Sequence, residues 1–269
     1  AIELSCASGP AVVVLEPDSP AMRPIIDEPG ADSHFLAWDA DGQSIYLKID
    51  SLGNARIVRV DVGSGKLKEL PLPATTYDLS LFPSGKMLSS QTAGLGSGAE
   101  TWLSNEKGRP LYRLLVEPEH IIAFARSSPD GMHLSYILMP DAQTPFPVGA
   151  LWLADAEGQN LRLIAEADAG HGFAPAWSPD GTQIAFVIRD SLADTSSTNL
   201  ALVNVATGEI TPITEFDGAL VGAAVWSADG GNLFFDVLAN GKMEIWAANL
   251  TTAKLTLISA GCCPVWMKR

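Results

Sequence analysis

Runs of alternating apolar and polar residues, five to eight long, recur through the whole chain. Ile184 to Ile188, Leu233 to Val237, Ile45 to Ile49 and Leu134 to Ile137 are rich in Ile, Val, Phe and Tyr, which marks β-strands. No long stretch places apolar residues at the i, i+3, i+4, i+7 spacing of an amphipathic helix, so essentially no long helix is predicted. Before each of these runs stands a turn. Trp177-Ser-Pro-Asp-Gly181, Trp226-Ser-Ala-Asp-Gly230 and Trp38-Asp-Ala-Asp-Gly42 are close copies, and 126–131 and 80–85 are weaker ones. Pro presets φ, Asp bonds its own backbone and Gly accepts positive φ, so each copy is a tight connection between two strands.

The turn glycines fall at 42, 85, 131, 181 and 230, spaced by 43, 46, 50 and 49 residues. A second module follows in each repeat: Trp152 to Gly158, Trp102 to Gly108, Leu202 to Gly208, Arg59 to Gly65 and Trp246 to Thr252. Each is a strand running into an Asp/Asn turn, and a fourth strand leaves that turn. Four strands in about 45 residues make one blade of a β-propeller. Five blades are expected to start near 35, 77, 121, 172 and 221. Val265-Trp266 repeats Ala176-Trp177 and opens a sixth, and residues 1–28 supply its missing strands. The expected fold is one all-β domain over 1–269, a six-bladed propeller of four-stranded antiparallel blades. Its ring closes through one blade shared by the two termini.

Composition narrows the partners. Lys and Arg number 17 against 31 Asp and Glu, a net charge of −14, which disfavours nucleic-acid backbones and anionic membranes. No apolar run is long enough for a membrane span, and Ala1 to Pro10 has no signal-peptide pattern. The three cysteines, Cys6, Cys262 and Cys263, stand at the ends of the chain. A bridge from Cys6 to Cys263 or Cys262 would close the ring and add about 4–5 kcal/mol in the chain-entropy model. It would also place the protein in an oxidising compartment. The alternatives are a strained 262–263 bridge and three buried thiols.

The pattern Pro-x-Trp-Ser-Pro-Asp-Gly-x-x-Ile-Ala-Phe of 175–186, with the later Trp-x-x-Asp-x-x-Gly, resembles the TolB-like six-bladed propeller family. The resemblance implies an exported protein, periplasmic or extracellular. Such propellers occur alone, as the carboxy-terminal half of periplasmic TolB, and as gating domains of prolyl-oligopeptidase-like peptidases. This chain shows neither a preceding α/β domain nor a Gly-x-Ser-x-Gly elbow.

Candidate chemistry gathers where inner strands begin. His34, His120 and His171 precede the repeat Trp position and point to one channel mouth, a set able to hold a transition metal. The resemblance extends to propeller lyases of uronates, which use a histidine-bound metal. Asp32, Asp78, Asp168 and Asp217, with Glu28, are expected at the same mouth, where oxygens can hold Ca2+. Otherwise these histidines and acids are solvated loop residues, no cofactor is needed, and no catalytic residue is assigned. Asp41, Asp130, Asp180 and Asp229 recur at one turn position and are read as turn chemistry. Trp38, Trp177, Trp226 and Trp266 are read as packing between blades, and Trp102, Trp152 and Trp246 as structural. Gly94 to Gly98 lacks the Lys-Ser/Thr of a phosphate loop, and Asn249-Leu-Thr251 is a glycosylation sequon.

The leading expectation is a non-catalytic binding or scaffold propeller. It would be a monomer or part of a larger assembly, and would take a protein partner or small ligand on its channel face. The alternative is a metal-dependent lyase or hydrolase of a sugar polymer.

Overall fold

The computed structural model describes residues 2–6, 9–15, 22–26, 28, 30–39, 42–92, 98–115, 120–141, 148–169, 171, 173–189, 195–222 and 224–261, with 2–24 and 115 as backbone only. Among these, every regular element is a strand. β1 (Ile2–Cys6), β2 (Gly9–Leu15) and β3 (Met22–Pro24) form a three-stranded antiparallel sheet. Blade 1 is β4 (Ala31–Trp38), β5 (Ser44–Ser51), β6 (Asn54–Asp61) and β7 (Leu67–Glu69). Blade 2 is β8 (Thr76–Leu81), β9 (Met87–Thr92), β10 (Ala99–Ser104) and β11 (Pro110–Leu115). Blade 3 is β12 (His120–Ser127), β13 (His133–Pro140), β14 (Val148–Asp155) and β15 (Arg162–Asp168). Blade 4 is β16 (Ala176–Trp177), β17 (Gln183–Arg189), β18 (Thr198–Asn204) and β19 (Ile210–Pro212). In blade 5 the inner strand is split into β20 (Leu220–Val221) and β21 (Val225–Trp226), both on β22 (Asn232–Ala239). β23 (Lys242–Asn249) and β24 (Lys254–Ala260) complete it.

These sheets form a β-propeller, with five complete blades where six were expected. The three-stranded sheet has the order β1-β2-β3 anticipated for second, third and fourth strands, and β2 packs beside β4. The segment 262–269, assigned from sequence as the missing inner strand, lies outside the described residues.

Blades 2, 3 and 4 are each sandwiched between two others, so both faces of their strands carry apolar residues. Tyr136 faces blade 2 with Phe82 and Leu88, whereas its neighbour Ile137 faces blade 4 with Ile184 and Phe186. This two-sided burial is why period-two alternation is only partial in the sequence.

The recurring turns show the expected chemistry. Ser178 donates to Asp180 at 2.6 Å, Asp180 accepts from the Thr182 N–H at 3.0 Å, and Gly181 closes the turn at φ 72°. Ser128/Asp130 and Ser227/Asp229 repeat it, while Asp41 lies outside the described residues. The Ser178 hydroxyl, then the Thr182 amide, hold the Asp180 carboxyl below its ordinary 3.8. A carboxylate depressed in the folded state contributes stability above its unfolded value and loses it as pH falls. Asp180→Asn is therefore expected to lower thermal stability at neutral pH, with the difference from the parent shrinking as pH falls below the ordinary carboxylate range. A difference independent of pH would overturn this reading.

The tryptophans fasten blade to blade. Trp177 Nε1 donates to the Arg126 carbonyl at 3.2 Å, and Trp226 Nε1 to the Ala176 carbonyl at 3.0 Å. In both cases the acceptor stands one residue before the repeat position of the preceding blade.

Candidate functional site

All inner strands begin at one end of the propeller. Antiparallel blades bring the connections between second and third strands to that same end, together with the crossovers between blades. The tight Ser-Pro-Asp-Gly turns and the turns between third and fourth strands occupy the other end. The two ends differ in kind: connections 92–99, 140–148 and 189–198 are long, whereas the opposite turns are short and alike. Loops on a rigid frame are where binding residues concentrate.

Two acids expected to line the channel mouth are buried and committed, Asp168 at the mouth end and Asp78 along the inner strands. Asp168 closes β15 and is fully buried. Arg189 Nε, at the end of β17, donates to its Oδ1 at 2.6 Å, and the His171 N–H to its Oδ2 at 3.1 Å. His171 Nδ1 lies 3.0 Å from Oδ1, and its ring stacks on Phe173 at 6.0 Å. The cluster joins the exit of blade 3 to the second strand of blade 4. Asp78, on β8, receives both guanidinium nitrogens of Arg126 at 2.8 Å, a fork between the inner strands of blades 2 and 3. Register breaks at Thr76/Asp78 and Ala123/Arg126 re-aim these two side chains toward each other. Tyr77 Oη and Ser80 Oγ donate to Ile122 and Ala125 carbonyls across the same seam.

The other candidates are dispersed. Asp32 and His34 are exposed on β4, His120 begins β12 half-buried, and Asp217 is exposed after β19. Glu28 accepts from the Ser51 hydroxyl and pairs with Arg56 at 2.6 Å, and these two, Ser51 first, hold its carboxyl low. Among the described residues no three His, Cys, Asp or Glu side chains come close enough to hold a metal ion. The cysteine pairing falls on 262, 263 and the undescribed side chain of Cys6, outside the described residues. Arg126 and Arg189 escaped sequence reading, since an arginine at a strand end carries no signal of its partner.

Fold and mouth define the class, an all-β propeller of four-stranded blades with an ion-paired channel mouth. No family model matches the sequence. The chain resembles TolB from Acinetobacter baumannii, with a TM-score of 0.66 at 18% identity over 92% of this chain and 59% of that one. It also resembles a chain of the nidogen/laminin complex (TM-score 0.67, 14% identity, 97% and 92% of the chains). An oligogalacturonate lyase in complex with manganese gives a TM-score of 0.65 at 14% identity over 93% and 72%. In sequence, 160 residues are 23% identical to dipeptidyl-peptidase 5 of Porphyromonas gingivalis, 58% of this chain and 23% of that protein's length. At such identities the likeness to solved structures is one of fold.

Proposed function

We propose that this chain is an exported, non-catalytic propeller whose mouth face binds a protein segment or a small ligand. The observation that carries this reading is the commitment of channel charges to one another, Asp168 to Arg189 and His171 at the mouth, and Asp78 to Arg126 between inner strands. Such pairs build a rigid rim and leave recognition to the long connections and the exposed acids Asp32 and Asp217. The net charge of −14 favours a basic or cation-bridged partner. The nidogen/laminin structure, a propeller in a protein complex, supports a protein partner. A periplasmic or extracellular location fits the TolB likeness and cysteines at both chain ends.

The test is co-purification from the native host with Asp32→Lys/Asp217→Lys beside a control at the opposite end, Glu157→Lys. A partner retained by the control and lost by the double variant is expected. A protein recovered only as free monomer, or equal recovery with all three, would overturn the reading. A second reading, a metal-dependent lyase using His34, His120 and His171, draws on the likeness to the manganese-bound lyase. It requires stoichiometric transition metal in purified protein and a melting temperature lowered by chelator.

We also propose that the ring closes as six blades through 262–269. Trp38 Nε1 is buried with no hydrogen-bond partner, whereas Trp177 and Trp226 each donate to the preceding blade. In the sequence repeat, the residue that corresponds to Ala176, the acceptor of Trp226, is Val265, one before Trp266.

A further inference from the structure

The interface between blades 1 and 2 differs from the others. In blades 1, 3, 4 and 5 the second strand turns a bulky buried residue toward the preceding sheet: Leu47, Tyr136, Phe186 and Phe235. The equivalent in blade 2 is Ser89, which faces Trp102 as Tyr136 faces Trp152. On the third strand, Val60, Ala154, Val203 and Ala248 are matched in blade 2 by Ser104. Apolar packing is thus replaced twice by a hydroxyl on one face, and a cleft of ≈ 240 Å3 opens there. Ser89 and Ser104 both line it, are 1% and 0% exposed, and have no hydrogen-bond partner. Leaving a buried hydroxyl unmet costs about 1–3 kcal/mol. Two in one cleft point to a guest that supplies the partners.

The walls state what that guest is. Trp102 is half-buried with its Nε1 held by Glu100 at 3.0 Å, and Glu100 in turn binds Arg113 at 2.6 Å, so the indole is fixed in place. Pro71, Pro73 and Pro110 add rigid apolar faces, and Gln91 and Glu100 add polar groups. Among the described residues no cation lines the cleft, which disfavours anions. Its volume lies below the about 300–1,000 Å3 of drug-sized sites, enough for a single ring. A ring with C–H faces for Trp102 and the prolines, and hydroxyls for the serines, Gln91 and Glu100, is a neutral sugar unit. We infer that the cleft between the blade 1-facing side of blade 2 and the 71–73 connection is a binding site for one neutral sugar residue, separate from the channel mouth.

The test is saturation-transfer NMR with methyl α-glucoside, methyl β-galactoside and N-acetylglucosamine, each at about 10 mM, with galacturonate as the anionic control. Transfer from at least one neutral sugar and none from galacturonate is expected, with affinity about millimolar. Ser89→Phe restores the side chain of blades 4 and 5, and Ser104→Val that of blades 1 and 4. Each is expected to weaken binding at least about tenfold while keeping the β-sheet circular dichroism. If Ser89→Phe does not fold, Ser104→Val decides. Three outcomes would each overturn the inference: no transfer from any neutral sugar, transfer unchanged in the folded variants, or stronger transfer from galacturonate.

Discussion

Arg189→Met is expected to destabilise the protein by about 3–5 kcal/mol, the largest effect of any single polar substitution proposed here. The Arg189 side chain is 4% exposed and its partner Asp168 is 0% exposed. Removing the guanidinium leaves a carboxylate in a low-dielectric site, held among the described residues by the ring and the backbone amide of His171. Adding Asp168→Leu to the variant removes the stranded charge and is expected to recover most of the loss, because a buried pair roughly breaks even against apolar groups of similar volume. Urea unfolding of the parent, the single and the double variant checks both statements. A single variant within about 0.5 kcal/mol of the parent would mean that the pair is solvated in solution.

Phe235→Ser is expected to cost at least about 3–5 kcal/mol. Phe235 is fully buried and packs between blades 4 and 5 with Val221, Leu233 and Ala248. Truncation removes its buried surface, opens a cavity and adds an unmet hydroxyl. The variant places in blade 5 the residue that blade 2 carries naturally at Ser89. A loss of this size would show what a serine costs at this position where nothing fills the space. A loss below about 1 kcal/mol would show that the position tolerates a hydroxyl in any blade, and the cleft beside blade 1 would lose its significance.

Much of the fold is legible in the chain because it is local. Ser178, Asp180 and Gly181 form a turn through contacts spanning five residues or fewer, and Ser128 and Ser227 repeat it. The repeat of Trp177 and Trp226 marks inner strands, and their indoles do join neighbouring blades. The mouth was legible only in half. Asp78 lies within the inner strand β8 and Asp168 ends the outer strand β15 instead of starting an inner one, and both are buried partners and not exposed ligands. Arg126 stands 48 residues from Asp78, and Arg189 stands 21 from Asp168, distances at which no spacing rule acts. The equivalence of Ser89 with Tyr136 is hidden by a turn one residue shorter in blade 2. There the Phe82 N–H donates to the Lys86 carbonyl, while the Ser128 N–H donates to the His133 carbonyl.

The sequence by itself determined the strands, the repeat, the turn chemistry and the acidic character, because each depends on neighbours along the chain or on a simple sum. Only the tertiary structure decided which charges are spent, which hydroxyls are left unmet and which seam between blades is open. Those properties belong to contacts between blades, where partners lie 21 to 51 residues apart and burial makes each pairing energetically decisive.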